Sequence, residues 1–222
     1  MARTMAMDAS AQALAIRQAL FSLARERPWN EIGLGDVADA AGLSLVELSA
    51  HAASKSAIVE DFSRDIDAAM LLLLRKEPPT GEAHDRLFDT VLKRLEIMAP
   101  YRRELAGMIA ARPGNPAEAL SLLQSASTTA GWMLAAAGLE SDPAWKGPGF
   151  AGLLYAYGRT LRVWAKDDDP GLNRTMATLD RELRDAARRS ARLAGVRSFG
   201  NALAGAARTF IREAFRPRKE PP

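Results

Sequence analysis

The sequence predicts an all-α protein, and three observations carry that expectation. Apolar residues recur at three- and four-residue spacing, Pro and Gly clusters separate the runs, and no stretch alternates as a strand would. With 222 residues, 48% of them hydrophobic, the chain is long enough to bury a core without disulfides or metals.

About nine to ten helices are expected. Leu14, Leu20, Phe21, Leu23 and Ala24 mark a first amphipathic helix from about Ser10 to before Pro28, and Asp36 to Ala41 a short second one stopped at Gly42. Ser44-Leu45-Val46-Glu47 has the form of a capping box, in which the Ser hydroxyl and the Glu carboxylate each satisfy an orphan backbone N–H. It opens a third helix, to about His51. Ser54 caps a fourth, with Ile58, Phe62, Ile66, Met70 and Leu73 on one face, and Pro78-Pro79-Thr80-Gly81 breaks the chain after it. Leu87, Phe88, Val91, Leu92, Leu95 and Met98 line a fifth helix, and Leu105, Met108 and Ile109 a short sixth. Asn115-Pro116 opens a seventh that Gly138 closes. An eighth runs from about Phe150 to Ala165, a ninth carries Leu172, Met176, Leu179, Leu183 and Ala187, and Ser198 to Phe215 reads as a tenth. The expected organisation is a head over 1–54, a body over 55–196 and a C-terminal amphipathic helix with a basic tail over 197–222.

Composition narrows the function classes. Without cysteine there is no disulfide framework, thiolate metal site or cysteine nucleophile. The first residues lack the pattern of a secretory signal, and no apolar run is long enough to span a bilayer, so a cytoplasmic location is expected. Thirty Lys plus Arg against 27 acids give +3, a sign that permits DNA binding without demanding it. The two histidines, His51 and His84, belong to no triad or metal spacing, and His84 reads as a solvated residue. Asp167-Asp168-Asp169 before Pro170 reads as a solvated helix-ending turn. No glycine-rich phosphate loop is present. No enzymatic activity, metal or cofactor is expected.

The most informative stretch is Asp36-Val37-Ala38-Asp39-Ala40-Ala41-Gly42-Leu43-Ser44, followed by Leu48, His51, Ser54 and Lys55. A helix, a glycine turn and a second short helix in this order make the helix-turn-helix arrangement, which lays the second helix in a DNA major groove. The first third of the chain resembles the head of the TetR family of transcriptional regulators in this register. Ser49 and Ala52 depart from it, standing where that family carries Tyr and Phe. The resemblance implies a homodimeric regulator that binds a double-stranded DNA operator through Ser44, Leu45, Glu47, Ser49, His51 and Lys55. It also implies a body whose eighth and ninth helices pair with a second copy, and which holds an apolar effector. Phe88, Met98, Met108, Trp132, Tyr155 and Trp164 are the candidate ligand contacts, because pockets in helical bundles are mostly apolar.

A second resemblance covers short stretches of the body in matching order: Arg94 to Tyr101, Ala137-Gly138 with Asp142 and Trp145, Lys166 to Pro170, and Gly200 to Phe215. They are similar to the lipid-binding accessory protein of ubiquinone biosynthesis, itself of TetR-like fold. This implies lipid binding without DNA reading, a partner surface at Asp142 and Trp145, and membrane contact through the last helix. There Phe199, Leu203, Ala206, Phe210 and Ala214 form one apolar stripe, with Arg208, Arg212 and Arg216 beside it. The regulator is the leading expectation and the accessory protein the alternative.

Overall fold

The computed structural model describes residues 2–111 and 116–193. Among them every regular element is helical: α1 (Ala2–Glu26), α2 (Leu34–Ala41), α3 (Leu45–His51), α4 (Lys55–Lys76), α5 (Ala83–Met98), α6 (Arg102–Ala110), α7 (Pro116–Ala136), α8 (Pro148–Trp164) and α9 (Asn173–Leu193). Single 3-10 turns cover Trp29–Glu31, Ala99–Tyr101 and Pro143–Trp145. Asn115 and the expected tenth helix, with Phe199, Leu203, Phe210 and Arg212, lie outside the described residues.

Local chemistry explains most boundaries. Gly42 (φ 68°) and Gly138 (φ 67°) adopt the left-handed conformation that closes α2 and α7. Ser44 Oγ accepts from the Glu47 N–H at 3.2 Å while Glu47 Oε2 accepts from the Ser44 N–H at 2.7 Å, so the expected capping box is formed. Ser54 Oγ accepts from the Ala57 N–H and starts α4. Two boundaries differ from the sequence reading. α1 begins at Ala2 rather than near Ser10, in a stretch without Gly or Pro to stop it, and α8 begins at Pro148, where proline suits the first helical position.

One hydrophobic cluster runs through head and body alike, from Ile16, Leu20 and Phe21 through Phe62, Met70 and Leu95 to Leu153, Trp164 and Leu183. Four expected core positions, Leu14, Leu73, Leu92 and Met176, fall outside it. Leu14 is half exposed because Ile16, Ala19 and Leu20 form the inward face of α1, and Leu73 is exposed because the i, i+4 row of α4 continues through Leu74. The head joins the body at an edge-to-face trio of Phe21, Phe62 and Tyr101, with ring centroids 4.9–5.9 Å apart. Trp29 Nε1 donates to Glu118 of α7 at 3.1 Å beside it. α8 and α9 approach closely at Gly152, where a Cβ would lie 2.8 Å from that of Ala186. Among the described residues, no helix is long and apolar enough to cross a membrane.

Candidate functional site

The face that α2, the Gly42 turn and α3 form in succession follows the order the sequence predicts. Its chemistry is less suited to a polyanion. On α3, Leu45 is 58% and Val46 79% exposed, so the outermost side chains are apolar. Glu47 is held by the cap, whose backbone N–H and hydroxyl from Ser44 keep its carboxyl below the usual range and therefore charged. Ser49 Oγ donates to the Val46 carbonyl at 2.7 Å, and His51 Nε2 pairs with Gln12 Oε1 of α1 at 2.9 Å. Lys55 turns inward: its Nζ donates to the Trp29 carbonyl at 2.5 Å and sits 4.5 Å from the centre of the Trp29 ring. Burial pulls its pKa down, against the attraction of Glu118 and Asp36.

The other described cations of the head are also engaged. Arg17 pairs with Asp65 at 2.7 Å, Arg25 with Glu104 at 3.5 Å and Arg27 with Asp36 at 3.1 Å. Residues 1–55 hold Arg3, Arg17, Arg25, Arg27 and Lys55 against Asp8, Glu26, Glu31, Asp36, Asp39 and Glu47, a net charge of −1. DNA affinity rests on neutralising phosphates with cations. The segment that carries α2 and α3 therefore has no net positive charge to offer phosphates.

The six candidate ligand residues stand in different surroundings. Met98 and Trp164 are buried in the core, Phe88 stacks on His84 at 6.4 Å, Met108 is half-buried, Tyr155 carries Arg189 5.7 Å from its ring centre, and Trp132 is half exposed on α7. A depression of about 270 Å³ between the end of α4 and α5 is lined by Leu74, Pro78, Asp89, Leu92 and Lys93 among others, and by none of the six. The partner surface inferred at Asp142 and Trp145 is also corrected in part. Trp145 is 4% exposed, so its indole packs inside rather than facing a partner, and the Asp142 carboxylate accepts from the Ala144 N–H at 2.8 Å to shape that turn.

The most concentrated polar chemistry lies deep in the body, where sequence reasoning did not place it. Arg94 of α5 donates from Nε to Asp67 Oδ1 of α4 at 2.7 Å, and from Nη2 to Ser63 Oγ at 2.7 Å and Thr129 Oγ1 at 3.5 Å. Its Nη1 donates to Met98 Sδ and to the Tyr157 hydroxyl of α8. Thr129 of α7 donates in turn to Asp67 Oδ2 at 2.9 Å. All five guanidinium N–H groups therefore have partners, and none is left for a ligand. Burial raises the Tyr157 pKa against the pull of Arg94, so its hydroxyl stays protonated. The cluster clamps α4, α5, α7 and α8 together.

Two further expectations change. His84 is only partly solvated: its Nε2 meets Asp180 Oδ1 at 2.9 Å and ties α5 to α9. Nor are the aspartates before Pro170 simply solvated, since Asp167 is buried and accepts from the Thr175 N–H at 2.8 Å and hydroxyl at 2.6 Å. Asp169 accepts from Gly171 N and Asn173 Nδ2, so these carboxylates organise the start of α9. No group of three or more His, Asp or Glu among the described residues is placed to hold a metal ion. In comparisons with known proteins, no family model matches the sequence, and no curated protein matches it.

Proposed function

We propose that the chain is a non-enzymatic, lipid-binding accessory protein of the kind that serves ubiquinone biosynthesis, working in the cytoplasm at a membrane surface, with a helix-turn-helix head that does not read DNA. The observation that carries this reading is the head itself. Its outer helix presents Leu45 and Val46, its one nearby lysine is spent on Trp29, and residues 1–55 are net negative. A protein that must hold a polyanion needs an excess of cations there. Sequence likeness to the accessory protein supports the positive part of the reading, as does the apolar stripe of Phe199, Leu203 and Phe210.

The deciding experiment pairs native mass spectrometry of the purified chain with a salt titration of DNA binding, using its own upstream DNA and a random duplex. The expected result is a protein that carries lipid through purification and binds both duplexes weakly and alike. A TetR-type homodimeric regulator is the second reading, favoured by the intact α2–Gly42–α3 geometry. A dimer without lipid that prefers the upstream DNA, with affinity falling steeply as salt rises, would establish it instead.

A further inference from the structure

The positive charge that the head lacks is gathered at the other end of the chain. Residues 173–222 hold twelve cations against five acids, a net +7 that leaves −4 on residues 1–172 of a chain whose total is +3. Part of this charge lies on α9, whose exposed side includes Arg174, Arg181, Arg184 and Arg188. Arg174, Arg181 and Arg188 are spaced by seven residues, two turns, and so share one stripe roughly 21 Å long, with Arg184 beside it. Arg181, Arg184 and Arg188 have 58%, 59% and 70% of their side chains exposed. The acids on the same helix are Asp180, which meets Arg184 at 2.9 Å and His84; Asp185, which meets Arg188 at 3.7 Å; and the buried Glu182, which meets Arg181 at 3.4 Å and Arg159 at 3.6 Å. The pairs made by Asp180 and Asp185 are solvent-exposed, and such pairs are weak.

We infer that this arginine face of α9 is an electrostatic docking surface for an anionic lipid bilayer. The inference rests on the proposed membrane association and adds which described surface meets the headgroups. Guanidinium groups in a row on a rigid helix do not converge on one small anion; they match a plane of phosphates. In the sequence the row is followed by Phe199, Leu203 and Phe210 together with Arg208, Arg212 and Arg216, the mix of large apolar and basic residues expected of an interfacial contact, and this favours a bilayer over duplex DNA. Among the described side chains, the outward side of α9 offers no large exposed apolar residue to a second copy.

The test is co-sedimentation of the full chain with vesicles of phosphatidylcholine plus phosphatidylglycerol, and of phosphatidylcholine alone. The variants are R181Q/R184Q/R188Q and F199S/F210S, with helicity followed by circular dichroism. Each cation near the surface is worth about fivefold in binding, so the triple variant should bind the anionic vesicles on the order of a hundredfold more weakly, with unchanged helicity. Binding of the triple variant within about threefold of wild type overturns the inference; if F199S/F210S then loses binding, the accessory reading stands without it. A wild-type chain that ignores both vesicles and carries no lipid overturns both. Arginine-dependent binding to duplex DNA but not to vesicles would assign the face to nucleic acid and overturn the bilayer.

Discussion

Replacing Arg94 with methionine should show how much of the body depends on one buried cluster. The substitution keeps the approximate length of the side chain and removes five N–H donors. Asp67, buried, then keeps only the Thr129 hydroxyl as partner, and the Tyr157 hydroxyl loses the guanidinium. Breaking one side of a buried ion pair costs about 3 to 5 kcal/mol, because the remaining charge stays out of water without compensation. For a domain of this size the melting temperature should fall by roughly 6 to 20 °C. D67V should cost a similar amount by stranding the guanidinium. The double variant D67V/R94M removes both charges and leaves chiefly the Tyr157 hydroxyl unpaired, at about 1 to 3 kcal/mol, since Ser63 and Thr129 still face each other at 3.3 Å. Urea denaturation of the three variants measures this directly. A double variant that costs the sum of the singles, or an R94M that costs less than about 1 kcal/mol, would refute the clamp.

Two other perturbations follow from the geometry. At Gly149 a Cβ would lie 1.8 Å from the Ala144 carbonyl oxygen and 3.0 Å from Ser190 Oγ, whereas at Gly131 it would meet open space. G149A should therefore destabilise by at least about 1 to 3 kcal/mol, while G131A, inside α7, should be neutral or stabilise by up to about 1 kcal/mol; thermal melts of the pair check both signs. Asp167 gives a pH dependence. Burial pushes its carboxyl up, but the hydrogen bonds from Thr175 and the Asp169 backbone outweigh this and hold it below its ordinary value. A lowered folded-state pKa gives stability that is present above the unfolded value and lost as pH falls through the folded one. The urea midpoint of wild type should therefore drop more steeply in the acid range than that of D167N, and parallel profiles would show that Asp167 contributes nothing.

Elements governed by local chemistry were legible in the sequence. The Ser44–Glu47 box, the Ser54 cap and the Gly42 and Gly138 stops each depend on groups within about one helical turn, and each stands as expected. The central polar cluster was not, because Asp67, Arg94, Thr129 and Tyr157 lie 27 to 63 residues apart where they touch and each reads alone as an ordinary helix residue. A signal was nevertheless present: Arg94 shares its helix face with Val91, Leu95 and Met98, and Asp67 shares one with Ile66 and Met70. A charge of each sign on two apolar faces is a reason to pair them. Trp145 was misplaced for the opposite reason, since a large aromatic in a proline-rich turn gives no periodicity from which to read burial. Lys55 fits the Ser-Lys pattern of a DNA-binding head, yet its direction was set by Trp29, 26 residues away.

Under the proposed function, a helix-turn-helix head without DNA reading needs a reason to persist, and the packing supplies one. Phe21 and Phe62 form one aromatic contact with Tyr101, Trp29 bonds Glu118 of α7, and Arg25 reaches Glu104 of α6. Removing α1 would strip Ile16, Leu20 and Phe21 from the cluster that also holds Leu95 and Leu105, and would expose apolar area worth roughly 1.5 to 3 kcal/mol for each large side chain. The outer face of α3 carries no such burden. Leu45 and Val46 are exposed and Ser49 bonds only its own helix, so substitutions there are nearly free of cost to the fold. Selection for stability thus preserves the shape of the head while leaving its groove-facing chemistry unconstrained. The same argument covers both ends of the chain: neither the exposed side chains of α3 nor the arginines on the exposed side of α9 contribute to the core, so charge on either surface can change while the fold stays the same.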